Sequence, residues 1–159
     1  MRIIALQGKH NSGKTATLKK LIEMLQDRQG DFVFKGVHPK GDVLELCRKK
    51  GDMQYWCSYG GVKIGITTRG DARRYLNTDF YTKRRRNFSD RDIVVCAIRT
   101  YGGTVDFVNE YATNGLEIVP KDIVPDKEGK ARQETANAEQ AAMILRKLIE
   151  LKEEIEVRK

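Results

Sequence analysis

The chain has 159 residues, a length that carries one ordinary domain with a single sizeable core and excludes an enzyme of several domains. With 40% hydrophobic and 33% charged residues it reads as a water-soluble globular protein, neither disordered nor fibrous. The net charge of +8 is uneven: residues 35–99 carry 15 basic and 7 acidic groups, against 6 and 3 in residues 1–34 and 9 and 12 in residues 100–159, so an anionic partner is expected to meet the middle of the chain.

Ile3-Ile4-Ala5-Leu6 is a short apolar run of strand character, followed at once by Gly8-Lys9-His10-Asn11-Ser12-Gly13-Lys14-Thr15. A helical pattern comes next, with Leu18, Leu21, Ile22 and Leu25 on one face and Gly30 as its stop. The spacing is Gly-x-x-x-x-Gly-Lys-Ser/Thr, in the order strand, glycine loop, helix. Gly8 and Gly13 let the loop curl so that backbone N–H groups turn inward, and the helix adds the positive end of its dipole. Asn11, Ser12 and Ala16 belong to the same cradle. Lys14 brings a point charge to the β and γ oxygens of a polyphosphate, and Thr15 offers a hydroxyl to Mg2+ bridging those oxygens. The plain alternative, a glycine-rich turn with a surface lysine, has no need of Gly-Lys-Thr at a helix start.

On these residues the chain resembles the P-loop NTPase superfamily. The segments LQGKHNSGKTATLKKL, IGITTRGD and DIVVCAIRT are also similar to signature segments of small ATP-binding P-loop proteins of bacteria and their phages. The resemblance implies an α/β sandwich and Mg-nucleotide binding, and implies no settled substrate.

Further along, residues 31–35 read as a second strand, ahead of a loop at Gly36, Pro39 and Gly41. Three strand-like runs follow, Val43–Cys47, Gln54–Tyr59 and Val62–Thr67; the glycine turn between the last two predicts a hairpin inside or at the edge of an otherwise parallel sheet. Residues 71–82 read as a helix or loop-helix. Ile93–Ile98 is continuously apolar, as a central parallel strand buried on both faces would be. Thr104 is placed to cap a helix through Thr113, Leu116–Val119 is the next strand, and residues 135–157 form a long amphipathic helix whose stripe packs on the sheet. The fold expected is a three-layer α/β sandwich in one domain, with a mostly parallel sheet and an antiparallel hairpin insertion.

Cys47, Cys57 and Cys96 form no Cys-x-x-Cys pair, and with only His10 and His38 a four-ligand zinc site is not expected. The start MRIIALQGKH lacks the pattern of a secretory leader, and no stretch approaches the roughly eighteen apolar residues of a membrane span. A cytoplasmic protein without membrane association is the expectation.

P-loop enzymes hold Mg2+ through a second acidic group near a neighbouring strand end. The nearest candidate is Asp71, beyond Thr68-Arg69-Gly70, read equally as a turn aspartate or helix cap; Asp42 is the runner-up, and Asp92 precedes its strand. Arg69 and Arg99 emerge at the edge where such sheets bind ligands, and a guanidinium there matches a γ-phosphate or a second anionic substrate. For each arginine alone, a surface residue at a strand end is the plainer reading. Val119-Pro120-Lys121-Asp122 lacks the spacing of the guanine-specifying Asn/Thr-Lys-x-Asp, which favours ATP. Trp56, beside Tyr55 and Tyr59, reads as hairpin packing before base stacking, and His10 is given no role.

The densest cluster is Lys83-Arg84-Arg85-Arg86, with Arg73, Arg74 and Arg91 near and Tyr75, Phe80, Tyr81 and Phe88 interleaved. It reads as a lid closing over phosphates or as a solvated loop, and less favourably as a nucleic-acid contact. The function expected is Mg-ATP binding with hydrolysis or phosphoryl transfer to an anionic small substrate, in which Lys14, Asp71, Arg69 and Arg99 act on the phosphates. The alternatives are a nucleic-acid-associated ATP-binding protein and a regulatory module that binds nucleotide with little catalysis.

Overall fold

The structure is a computed structural model describing residues 1–81 and 88–159, so the Lys83–Arg86 cluster lies outside the described residues. Its strands are β1 (Arg2–Gln7), β2 (Phe32–His38), β3 (Gln54–Tyr59), β4 (Val62–Thr67), β5 (Ile93–Ile98) and β6 (Leu116–Pro120). Its helices are α1 (Lys14–Asp27), α2 (Val43–Arg48), α3 (Arg73–Tyr81), α4 (Gly103–Tyr111) and α5 (Lys130–Val157), with a 3-10 turn at Asp126–Glu128.

The strands form one six-stranded sheet in the order β2-β3-β4-β5-β1-β6. The pairs β4–β5, β5–β1 and β1–β6 are parallel, while β2–β3 and β3–β4 are antiparallel. The β3–β4 hairpin is therefore no appendage. Its second strand continues the parallel half of the sheet through the register Thr67↔Cys96, and β3 and β2 extend it outward.

Alternation along the central strands divides the core in two. Ile4 and Leu6 of β1 and Ile93, Val95 and Ala97 of β5 face Leu18, Leu21, Ile22 and Leu25 of α1 and Ile144 and Leu148 of α5. Ile3 and Ala5, with Val94, Cys96 and Ile98, face Leu76 and Phe80 of α3 and Phe107 and Val108 of α4. The molecule is thus a three-layer α/β fold with helices on both faces of the sheet. Burying a leucine or isoleucine in either layer is worth about 1.5–3 kcal/mol. Among the described residues no helix is long and apolar enough to cross a membrane.

Four boundaries differ from the sequence reading. Strand β2 runs on through Gly36 to His38 where the sequence predicts a loop from Gly36, because Gly36, Val37 and His38 still pair with Trp56, Tyr55 and Gln54 of β3. The run Val43–Cys47 is helical, not a strand: Asp42 caps α2 by accepting the Glu45 amide at 3.0 Å, with Glu45 in the first turn and Arg48 in the last. Thr104 does not cap α4, whose N-cap is Gly102; its hydroxyl accepts the Arg99 amide at 3.0 Å instead. The last helix begins at Lys130, about a turn and a half before the expected start.

Candidate functional site

Because β1, β4, β5 and β6 run parallel, their C-terminal ends share one edge, and the registers Gln7↔Ile98, Gln7↔Pro120 and Thr67↔Cys96 align them there. The connections leaving β1 and β5 pass to opposite faces, through α1 and α4, which opens a crevice between those strands at this edge. The segment 8–13 occupies that position.

The loop leaves β1 with the Gly8 amide still donating to the Ile98 carbonyl at 3.1 Å. It then turns through two left-handed residues, Asn11 at φ 55° and Gly13 at φ 88°, the second standing immediately before α1. A Cβ at Gly13 would sit in a conformation that L side chains rarely adopt, which is why glycine is required there.

Helix α1 starts without protection. Gly13 gives no side-chain cap, and the first turn has no acidic residue, although the leading amides of any helix lack intrahelical acceptors. Where a carboxylate would ordinarily favour the helix dipole, the sequence has Lys14. Its ammonium is nearly buried and donates to the carbonyl oxygens of Gly8 at 2.8 Å and Lys9 at 2.6 Å. Burial lowers the Lys14 pKa, Asp71 opposes that shift and Arg99 adds to it. Open backbone donors beside a cation are groups that can receive an anion.

Two cavities flank the loop and share Asn11, Ser12 and Gly13. The larger, about 570 Å³, is lined by Lys14, Thr15 and Ala16, by Asp71 with Thr68 and Gly70, and further out by Lys19, Lys20, Lys49 and Lys50. The smaller, about 200 Å³, lies on the β6 side between Lys121–Val124 and the α5 residues Gln133 and Asn137. Its wall is fixed by Gln140, which donates to the Pro120 carbonyl at 2.5 Å and accepts the Asp122 amide at 3.2 Å. Asn137 also accepts the Thr17 hydroxyl at 3.2 Å, tying α5 to α1.

The expected site residues come together unequally. Gly8 to Ala16 and Asp71 meet at the larger cavity or its loop; the Asp71 carboxylate lies 3.5 Å from His10 Nδ1. Arg69 points elsewhere: its guanidinium pairs at 3.3 Å with Asp79, which is 1% exposed, and stands over the Tyr75 ring at 4.8 Å. Arg99 is held at its amide by Thr104, and its buried Nε has no hydrogen-bond partner among the described residues. Asp42 is the cap of α2, and Asp92 accepts the Lys63 amide at 2.8 Å at the opposite edge of the sheet.

Asp79 is the residue that sequence reasoning missed. Its carboxylate also accepts the Thr67 hydroxyl at 2.6 Å and the Gln54 side-chain amide, so it ties α3 to the ends of β3 and β4. Burial raises its pKa, against the hydrogen bond from Thr67, the charge of Arg69 and the hydrogen bond from Gln54. The signal was an acid amid apolar neighbours: Asp79 stands three residues after Leu76 and next to Phe80, on the buried face of α3.

The cysteines offer no nucleophile. Burial pushes the Cys47 thiol up to about 11 and those of Cys57 and Cys96 up to about 12. Trp56 packs against Phe88 at 5.5 Å in the core, and Phe80 and Phe88 are both 0% exposed, so none of the three presents a face to a base. Among the described residues no group of three or more His, Cys, Asp and Glu could hold a metal ion. No protein-family model, curated protein or solved structure matches the chain.

Proposed function

We propose that the protein binds Mg-ATP on the Gly8–Thr15 loop and hydrolyses it or transfers its γ-phosphoryl group to an anionic small substrate. The observation that carries the proposal is the nearly buried Lys14 ammonium, bonded to the loop's own carbonyls at the open start of α1. An open start alone does not carry it, because α5 begins just as uncapped and acid-free behind Gly129 and glycine there gives up only roughly a few tenths of a kcal/mol, so what sets the start of α1 apart is its buried cation. Left open with a cation in it, it suits the β and γ phosphates, which would exchange the carbonyl contacts of Lys14 for charge-assisted ones.

Mg2+ fits the residues present. It keeps several waters and takes one or two carboxylates besides phosphate oxygens, and the Thr15 hydroxyl and Asp71 carboxylate line the same cavity as Lys14. Bound there, it would neutralise charge developing on the transferred group. Arg99 lines neither cavity, but its charge is felt at Lys14 and its buried Nε has no hydrogen-bond partner among the described residues, which supports a role near that group, whereas Arg69 is committed to Asp79. The smaller cavity, with Ile123 and Val124 beside Lys121 and Asp122, suits the nucleoside end. ATP is preferred to GTP because the guanine-specifying pattern is missing after β6.

A calorimetric panel of ATP, GTP, ADP and AMP with and without Mg2+, followed by product analysis, tests the reading. Tighter binding of ATP with Mg2+ than without, and loss of that difference in Asp71→Asn, are expected. Binding indifferent to Mg2+ would remove Asp71 from the site, and equal affinity for GTP would remove the base assignment.

A further inference from the structure

The larger cavity extends well past the place a γ-phosphate would take. Thr15, Lys19 and Glu23 succeed one another at four-residue steps along one wall, with Ala16 and Lys20 alongside, so the groove follows α1 for about 12 Å. The facing wall is Cys47 at the end of α2 and the segment Lys49-Lys50-Gly51. Five lysines line this space against two carboxylates, Glu23 and Asp71.

Lys19 is the informative member. It is 7% exposed, its ammonium donates to the Lys49 carbonyl oxygen at 2.6 Å, and it forms no ion pair among the described residues. Lysine is almost never this buried unless paired, because desolvating an ammonium is costly. One carbonyl occupies one of its three donors, and the groove beside it is where the others find room. Burial lowers the Lys19 pKa, with Cys47 and Asp52 opposing that shift. Lys20 is matched by Glu23 at 3.2 Å; the exposed side chains of Lys49 and Lys50 have no ion pair among the described residues.

We propose that this groove, at Lys19, Lys49 and Lys50, binds the phosphate of a second substrate, a compact non-aromatic phosphomonoester of sugar-phosphate or polyol-phosphate size. The inference rests on the nucleotide reading above and names the class of its acceptor. Lysines are compact point charges suited to a phosphate dianion, and the described residues of the wall supply lysine ammoniums with no arginine. Apart from the imidazole of His10 at the glycine-loop end, no aromatic ring among the described residues lines it for a base to stack on, and its apolar side chains are only Ala16, Cys47 and Ala97. A volume of about 570 Å³ is that of a small-molecule site. Lys14 and Lys19 are about 7.5 Å apart along the helix axis, so one helix presents a buried cation to each of two phosphates.

The test is titration of ribose 5-phosphate into the full chain saturated with Mg2+ and a non-hydrolysable ATP analogue, with ribose, AMP and a single-stranded oligonucleotide as comparators. Ribose 5-phosphate binds and ribose does not. The variant Lys49→Ala/Lys50→Ala changes only exposed side chains; it weakens ribose 5-phosphate binding by at least about tenfold while the analogue's affinity stays within about twofold. Lys19→Gln weakens it as well, and the double variant keeps the test valid if Lys19→Gln fails to fold. The proposal is overturned if ribose 5-phosphate does not bind, if its affinity ignores Lys49 and Lys50, if AMP binds more tightly, or if the oligonucleotide displaces it with the same lysine dependence. Should the analogue itself not bind, the same titration of the protein alone decides: dependence on Lys49 and Lys50 upholds the groove while the nucleotide reading falls, and independence ends both.

Discussion

The Arg69 guanidinium lies 3.3 Å from the carboxylate of Asp79, a group 1% exposed on the inner face of α3. That pair anchors the segment Thr68 to Asp71 from beneath, since the Thr67 hydroxyl both donates to Asp79 at 2.6 Å and accepts the Arg69 amide at 3.2 Å. Asp71 is presented to the glycine loop from the top of this segment.

Removing the buried carboxylate should therefore unsettle a whole corner. Asp79→Ala strands Arg69, Gln54 and the Thr67 hydroxyl together, and a loss of about 3 kcal/mol is expected in urea denaturation. A loss under about 1 kcal/mol would mean that the network is slack.

Gly70 packs so tightly on β5 that an added Cβ would overlap the Ala97 carbonyl oxygen, whereas nothing lies within 4 Å of one added at Gly30. Gly70→Ala should cost about 3 kcal/mol by forcing β4 and β5 apart at the edge where their C-terminal ends lie. Gly30→Ala should stay within about 0.5 kcal/mol, and similar melting curves for the two variants would contradict this packing.

Thr104, 2% exposed, is the acceptor for the Arg99 amide at 3.0 Å. Thr104→Val keeps the shape and orphans that amide, for an expected loss of about 1–3 kcal/mol. If Arg99 acts on the transferring group, turnover falls further than nucleotide affinity does; a drop in affinity alone would exclude that role.

Much of this was legible because it is local. The β3–β4 hairpin and the Ile93–Ile98 strand follow from a glycine turn and an unbroken apolar run, and Lys14 and Thr15 are fixed by their distance from Gly8. What the chain hides is what depends on tertiary partners. Val43–Cys47 reads as a short strand-like apolar run, and only the reach of Asp42 to Glu45 shows that a cap has made it a helix. Arg69 reads as a surface arginine until Asp79, ten residues on, is found beneath it. Lys19 lies among ordinary helix lysines in sequence, and its burial is set by Lys49, which no periodicity connects to it.

On the proposed nucleotide reading, the lowered pKa of Lys14 predicts a pH dependence of binding with a definite sign. Bound phosphates favour the ammonium, so affinity is full at pH below the lowered Lys14 value and falls as pH rises through it, with onset below the ordinary lysine range. A Lys14→Arg protein, whose charge is not lost, should show a flat profile there, though with weaker binding. Parallel profiles for the two proteins would show that Lys14 does not meet the phosphates.

The most direct measurement is calorimetric titration of Mg-ATP into the native protein and into Lys14→Ala, with urea denaturation run beside it to show that both are folded. The account predicts one site in the native protein and an affinity lower by at least about a hundredfold in Lys14→Ala, the loss expected of roughly 2.7 kcal/mol of charge-assisted contact. Equal affinities in two folded proteins, or no binding to the native one, would contradict it.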